Sequence, residues 1–379
     1  MKELINSIRI FLIYRFYNIG VILERISNKG FALDIFSSSF QNNPYKTYSR
    51  MRSINPIYHS KPTFLRWVTK MDLVQEMIRD DRFSVDDRKF PIAKLRRNEL
   101  RRDGRDIMLD QFENPSILKL DPPDHSRIRK LVSYGFTNRY IKSLETEIND
   151  TINQCLDKTH NLESFDLMNV LAKPLPAIVI AKMMGLPDSD LNQFQIWSEN
   201  LLKEVGGIGS SVKKRKLARD AYEDLIRYFE KIILERKDNP GDDFIGKLIL
   251  AEEEGDKLNV KEMYGTCLLL LIAGHETTTR LVGNGLFALL NHPDQFDLLK
   301  EDHSKIPNAI EEMLRYEPPV HATVRFANEN MTYRNRYYKR GTPFAISIAG
   351  ANRDPEANKD PDSFNTVSYT HLRAHETSL

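Results

Sequence analysis

The sequence predicts a mainly α-helical fold with a minor β region, and three observations carry that prediction. Helical apolar spacing recurs along most of the chain, strand-like pieces are few and short, and glycine and proline punctuate without clustering. No internal repeat and no low-complexity linker breaks the pattern.

The elements follow in order. Residues 4–23 are rich in Ile, Leu, Phe and Tyr, but Arg9 and Arg15 interrupt them, so no apolar run reaches membrane length. No small-residue cleavage site follows, which argues against a signal peptide. Residues 1–39 read as an N-terminal helical segment packed on the body, with an interfacial anchor as the alternative. PTFLRWVT (62–69) is strand-like. LDPPDHSRIRKLV (120–132) starts a helix, with Asp121 available as cap and the prolines suited to a first turn. SLETEINDTINQCLDK (143–158) has helical apolar spacing, and PLPAIVIAKMMGLP (174–187) is a helix closed by Gly185 and Pro187. KLARDAYEDLIRYFEKIILERKD (216–238) is a long amphipathic helix with acid–base pairs one turn apart. The stretch 260–293 is the longest and most apolar helix, and NAIEEMLRYEPP (308–319) is stopped by Pro318 and Pro319. HATVRFA (321–327) and TPFAISIAG (342–350) are the remaining strands, and the Asn, Asp and Pro of ANRDPEANKDPDSF (351–364) make an ordered series of turns.

Bulk composition narrows the class. A chain of 379 residues, 41% hydrophobic and 28% charged, has enough apolar side chain for a sizeable core. A net charge of +2 gives no case for a nucleic-acid partner. Two cysteines, Cys155 and Cys267, form no disulfide framework, and a reducing cytoplasm fits best. The basic run KKRK (213–216) reads as a solvated face or, more sharply, as a docking patch for an acidic partner.

Five clusters stand out. LIAGHETTTR (271–280) places a glycine, an acid and three threonines inside an apolar helix, against helix propensity and the cost of burying a carboxylate. The small pair Ala273–Gly274 leaves room for a flat ligand near the backbone, Thr277 can turn its hydroxyl into the helix, and Glu276 can feed protons inward. The bland alternative is a core helix with a packing glycine and a salt-bridged glutamate. His125 and Arg129 project from one helical face and suit a carboxylate or phosphate. Glu312 and Arg315 form an acid–arginine pair that, if buried, needs further partners and is structural. Arg325, on a short strand, is in reach of an anionic ligand or is simply exposed. The turn series 351–364 is the fifth.

In this order and spacing, the clusters resemble the cytochrome P-450 family of haem-thiolate monooxygenases in its soluble bacterial form, over roughly residues 40–366. The resemblance implies a haem b cofactor whose propionates meet His125, Arg129 and Arg325. It implies that Ala273 and Gly274 line the haem while Glu276 and Thr277, the catalytic pair, relay protons towards dioxygen. Glu312 and Arg315 are then structural, and Val320 and Ala322 in PVHAT (319–323) border the substrate pocket. Further implied are hydroxylation of an apolar small molecule, with O2 and two electrons from a separate ferredoxin or flavoprotein. Substrate contacts are expected from 85–105 and 198–212. A cytoplasmic protein with at most peripheral membrane contact completes the expectation.

The chain departs from the family at its end. The family's iron ligand is a cysteine in a glycine-rich loop after the turn series, and this sequence shows no such loop and no cysteine there. After Phe364 it reads NTVSYTHLRAHETSL, and residues 367–379 are expected to be a non-native tail on an incomplete fold. Cys267 lies ten residues before Thr277, about 15 Å along the helix axis, and Cys155 reads as a buried structural thiol. His371 and His375 lie in the suspect tail. None replaces the thiolate, so no metal ligand is assigned and this chain is expected to be inactive. Ser363 stands where the resemblance implies an arginine completing the Glu312–Arg315 network. The rival readings are a non-catalytic haem-binding or scaffold protein, and a non-functional fragment.

Overall fold

The computed structural model describes residues 2–114, 116–203, 212–253 and 255–367. Residues 368–379, with His371 and His375, and residues 204–211 of the expected substrate region lie outside the described residues. The chain forms two compact units, Met1–Val85 with Asn284–Leu379, and Asp86–Gly283. No helix among the described residues is long and apolar enough to cross a membrane.

The first unit is built on a five-stranded sheet. In spatial order its strands are Ile57–His59, Arg66–Val68, Pro343–Ser347, Ala322–Ala327 and Phe83–Ser84. Arg66–Val68 pairs parallel to Pro343–Ser347, and the other neighbours pair antiparallel. Apolar residues alternate in and out on such a surface. Val68, Phe344 and Ile346 join Val74 and Met77 of the helix Met71–Arg79 in one core, while Trp67 and Ala345 join Leu33, Tyr48 and Met51 in another. A third cluster gathers Ala288, Leu289, Leu299, Ala309 and Phe364.

The N-terminal helix Lys2–Ser27 belongs to this unit. Tyr17 and Val21 are buried, and the fully buried carboxylate of Glu24 accepts from the amides of Leu33 (2.9 Å) and Lys61 (2.5 Å) and from the Tyr58 hydroxyl. Its opposite face leaves Phe16, Leu23 and Ile26 exposed.

The second unit is a helical bundle around Phe194, Leu225, Phe229, Phe244, Cys267 and Leu271. Asp243 caps the helix Phe244–Leu250 by accepting from the Gly246 amide, and also holds Arg236 at 2.6 Å. Arg236 in turn donates to the Gly185 carbonyl. Gly185 has φ +68°, and a Cβ there would meet Asp243 Oδ2 at 2.2 Å, so both conformation and space require glycine.

Most expected helices form: Glu145–Asp157, Pro174–Met183, Val212–Glu235, Val260–Leu290 and Ile306–Tyr316. One detail differs. The helix expected from 120 begins at Asp124, and no side chain caps it. The Asp121 carboxylate pairs instead with Lys89 Nζ at 2.8 Å, a stronger partner than a backbone amide.

Candidate functional site

The long helix is anchored at its start by a reciprocal cap. The Asn259 side chain accepts from the Glu262 amide, and the Glu262 carboxylate accepts from the Asn259 amide at 2.9 Å. Glu262 also pairs with Arg127 of the helix Asp124–Ser133, and Asp256 adds a second carboxylate 3.3 Å from Arg127. The His125 helix is thereby tied to the first turn of Val260–Leu290.

One turn of that helix carries the irregular sequence. The Thr277 hydroxyl donates to the Ala273 carbonyl at 2.5 Å, turned into the helix as its sequence context predicts. Glu276 is about a third exposed and pairs with Arg280 at 2.5 Å, so no unpaired carboxylate is buried here. Gly274 faces the helix Pro174–Met183, where a Cβ would lie 3.0 Å from Ile180 Cδ1. Its observed role is close helix packing.

His275 was passed over in the sequence. It is buried, with Nε2 3.0 Å from the Lys173 carbonyl and Nδ1 2.7 Å from the Ser198 hydroxyl. Nε2 must donate to a carbonyl, so a neutral ring with Nδ1 accepting from Ser198 satisfies both. Burial holds its pKa below the ordinary histidine value. The partners are remote in sequence, so no local signal marked this residue.

His125 is half-buried, and Arg129 is exposed on the same helix. Burial first, then the Arg129 charge, pushes the His125 pKa down, while Asp121 opposes them. His125 is thus a neutral donor beside a permanent cation, a pairing that suits an anionic group.

A cavity of about 660 Å³ lies in this unit. Leu268, Leu269 and Ile272 of the long helix, Ile128 of the His125 helix, and Phe112 and Tyr222 are among its lining residues. Arg88 and Arg96, from the expected substrate region 85–105, line it as well. Arg96 holds Asp87 at 2.6 Å, and the Tyr222 hydroxyl donates to Asp110.

The other candidates belong to the first unit. Glu312 and Arg315 are buried and joined by two hydrogen bonds of 2.7 and 2.8 Å. Arg315 also donates to the carbonyls of Asn352, Pro361 and Ser363, and Glu312 accepts from the Asn365 amide. The expected gap at Ser363 is therefore closed by its backbone. Arg353 packs against the rings of Tyr45 and Tyr316 and pairs with Asp362 at 2.9 Å. Arg325 reaches Thr323 Oγ1 and the Val324 carbonyl at 3.3 and 3.2 Å. Val320 is exposed, whereas Ala322 packs on the Leu33–Tyr48 cluster.

The donor types fit a haem in part. His125, Arg129 and Arg325 have the chemistry for propionates, and Thr277 and Ala273 form a polar turn on an otherwise apolar helix. The cysteines do not fit an iron ligand. Cys267 is fully buried and its thiol pKa is pushed up to about 12, opposite to what a thiolate needs, and Cys155 is also buried. Among the described residues, no three His, Cys, Asp or Glu side chains cluster to hold a metal.

Comparison with known proteins adds an independent line. The family model described as Cytochrome P450 matches residues 92–371. The polyketide biosynthesis cytochrome P450 PksS of Bacillus subtilis is 35% identical over 333 residues, 86% of this chain and 80% of its own length. The crystal structure of CYP109E1 from Bacillus megaterium in complex with testosterone superposes with a TM-score of 0.76 at 32% identity, covering 87% of this chain and 82% of that one. P450BioI, in complex with an acyl carrier protein ligated to hexadec-9Z-enoic acid, gives 0.77 at 31% identity, covering 90% and 87%.

Proposed function

Since the chain belongs to the cytochrome P450 family of haem-dependent monooxygenases, we propose that its fold serves the hydroxylation of an apolar, chain-like small molecule in the 660 Å³ cavity. The bound haem supplies the activation of dioxygen, and the electrons come from a separate ferredoxin or flavoprotein. This reading gives the protein residues the work of orientation and proton delivery.

One observation carries it. The Thr277 hydroxyl sits on the Ala273 carbonyl, five residues beyond Ile272, the last residue of this helix on the cavity wall. A hydroxyl held against its own helix backbone can take up a proton and pass it on. Glu276, exposed enough to exchange protons with solvent, supplies it when its pair with Arg280 opens. His125 and Arg129 would hold the propionates of haem b, and Arg325 has the same donor chemistry. Ala273 would line the haem, while Gly274 serves the contact with Ile180.

The cavity volume lies within the usual range for small-molecule sites, and its wall combines apolar residues with ten charged ones. The named relatives include a polyketide-pathway enzyme, a steroid complex and an acyl-chain complex. A long acyl or polyketide chain is the substrate class in best accord with these. Cys155 and Cys267 are both buried, and neither is suited to act as the thiolate. The rival of a non-catalytic haem-binding protein shares that feature, but gives no reason for a proton-relaying hydroxyl at Thr277.

Two measurements test this. The reduced carbon-monoxide difference spectrum of haem-loaded protein is expected to lack the thiolate-type Soret band, and its presence overturns the ligand assignment. Calorimetric titration with palmitate is expected to show saturable binding that Leu269→Arg abolishes. No binding by the unsubstituted chain, or binding indifferent to Leu269→Arg, overturns the cavity assignment.

A further inference from the structure

The helix Lys2–Ser27 carries apolar residues on two opposite faces. Tyr17, Val21 and Glu24, one turn apart, are buried against the first unit. Phe16, Ile19, Leu23 and Ile26 recur at helical spacing on the far side, with Ile22 beside them. All five are exposed, Phe16 by 71% and Ile26 by 76%. The stripe runs about 15 Å along the axis. A helix lying on a protein surface ordinarily turns polar residues outwards, and here the outward side is the more apolar of the two.

The turn between the strands Ile57–His59 and Arg66–Val68 lies directly on this helix. A Cβ on Gly20 would lie 2.8 Å from Pro62 Cα, and Lys61 Nζ donates to the Leu23 carbonyl and the Ser27 hydroxyl at 3.3 and 3.0 Å. Within the turn, Phe64 is 73% exposed and has φ +58°. A bulky residue in the left-handed region is an outlier, so the backbone is strained to hold an apolar ring out in solvent. The charge around these residues is one-sided. Residues 15–34 and 59–66 hold five basic and two acidic side chains. Both acids are engaged inwards: Glu24 is fully buried on its three donors, and half-buried Asp34 accepts from the Tyr17 hydroxyl at 3.3 Å. Arg15, Arg25 and Lys29 are exposed, and among the described residues no carboxylate pairs with them, with Lys61 or with Arg66.

We propose that the stripe Phe16, Ile19, Leu23 and Ile26, together with Phe64, seats the protein on an anionic lipid surface. The helix lies in the plane of the interface, its apolar side chains enter the acyl boundary, and Arg15, Arg25, Lys29 and Lys61 meet the lipid phosphates. No helix among the described residues is long and apolar enough to cross the bilayer, so the contact is peripheral. The uncompensated charge is what selects this occupant. A second copy covering the stripe by two-fold symmetry would bring the same unpaired cations of both chains together, which costs energy, whereas an anionic surface neutralises them. This assignment rests on the outer face of the first unit alone and is independent of the cavity.

The test uses the full chain and co-sedimentation with vesicles of phosphatidylglycerol and phosphatidylcholine, beside vesicles of phosphatidylcholine alone, at about 50 and 300 mM salt. Partitioning onto the anionic vesicles is expected to be at least about ten-fold stronger than onto the neutral ones, and to weaken at the higher salt. The triple variant Ile19→Gln, Leu23→Gln, Ile26→Gln is expected to reduce it about ten-fold or more with the melting temperature unchanged, because these side chains touch solvent and not the core. Arg25→Glu with Lys29→Glu is expected to abolish the preference for anionic vesicles. Phe64→Asn, which suits the left-handed backbone, is expected to weaken partitioning at least about three-fold without lowering the melting temperature. Failure of the unsubstituted chain to bind anionic vesicles overturns the proposal. So does binding that the triple variant leaves intact, which would place the contact elsewhere on the chain. Dimerisation in sedimentation velocity without vesicles, lost in the triple variant, overturns it in favour of a second copy on this face.

Discussion

Arg315 lies across both carboxylate oxygens of Glu312, at 2.7 and 2.8 Å, with both side chains almost wholly buried. Three backbone carbonyls and one backbone amide complete the cluster. Glu312→Ala strands a guanidinium in the interior and is expected to destabilise by about 3–5 kcal/mol. Arg315→Lys retains the charge but not the planar fork, and is expected to fall between the wild type and Glu312→Ala. Urea unfolding followed by circular dichroism measures both, and a Glu312→Ala midpoint equal to that of the wild type contradicts a structural role for this pair.

Thr277 answers a different question. Its hydroxyl already bonds within its own helix, so Thr277→Ala removes little that holds the fold together. A stability change within about 1 kcal/mol is expected. A much larger loss would identify Thr277 as a packing residue and weaken the proton-delivery assignment.

Gly274→Ala sets two terms against each other. Alanine gains up to about 1 kcal/mol of helix propensity over glycine. The new methyl then lies 3.0 Å from Ile180 Cδ1 and must push it aside. The expected outcome is near neutrality for alanine, and a loss of about 1–3 kcal/mol for Gly274→Val from overpacking. The double variant Gly274→Val, Ile180→Ala is expected to recover part of that loss. Absence of recovery rules out Ile180 as the opposing group.

His275 makes stability depend on pH. Its folded pKa lies below its unfolded value, because burial penalises the charged ring. The unfolded chain therefore binds a proton at a higher pH than the folded one. The stabilisation is complete above the unfolded value near 6.5 and declines as pH falls from there towards the depressed folded pKa. Melting curves from pH 7.5 to 5.5 are expected to show this decline. His275→Gln is expected to flatten it, with a residual slope from His59 and His125, whose pKa values are also lowered. An unchanged slope in His275→Gln contradicts the assignment.

The cap on the long helix gives the last prediction. Asn259→Ala removes the acceptor for the Glu262 amide and is expected to cost about 1 kcal/mol. Arg127→Ala removes a partly exposed pair and is expected to cost less than about 1 kcal/mol, falling further in high salt. A reversed ranking, read from urea midpoints, would place the anchoring in the ion pair.

The helices 145–157, 174–183, 260–290 and 306–316 were legible because apolar spacing and stop residues are local signals. The strands Ile57–His59 and Phe83–Ser84 were not, since two or three residues carry no period and their pairing is decided by distant partners. The Glu312–Arg315 pair was legible as a pair, but its closure was hidden. Arg315 bonds to main-chain carbonyls, which any residue at 352, 361 or 363 supplies. Asp121 was legible as a cap candidate and went elsewhere, because Lys89, remote in sequence, offered a full charge. His275 was hidden for the same reason, its partners lying 77 and 102 positions away.

The carboxylate of Glu24 sets how far the front of the chain can be shortened. Cutting before Tyr17 leaves its three hydrogen bonds intact and removes sequence that none of them uses. Cutting beyond residue 24 leaves the Leu33 amide, the Lys61 amide and the Tyr58 hydroxyl without their shared acceptor. Recombinant versions starting at residue 16 should stay in solution where those starting at residue 28 precipitate.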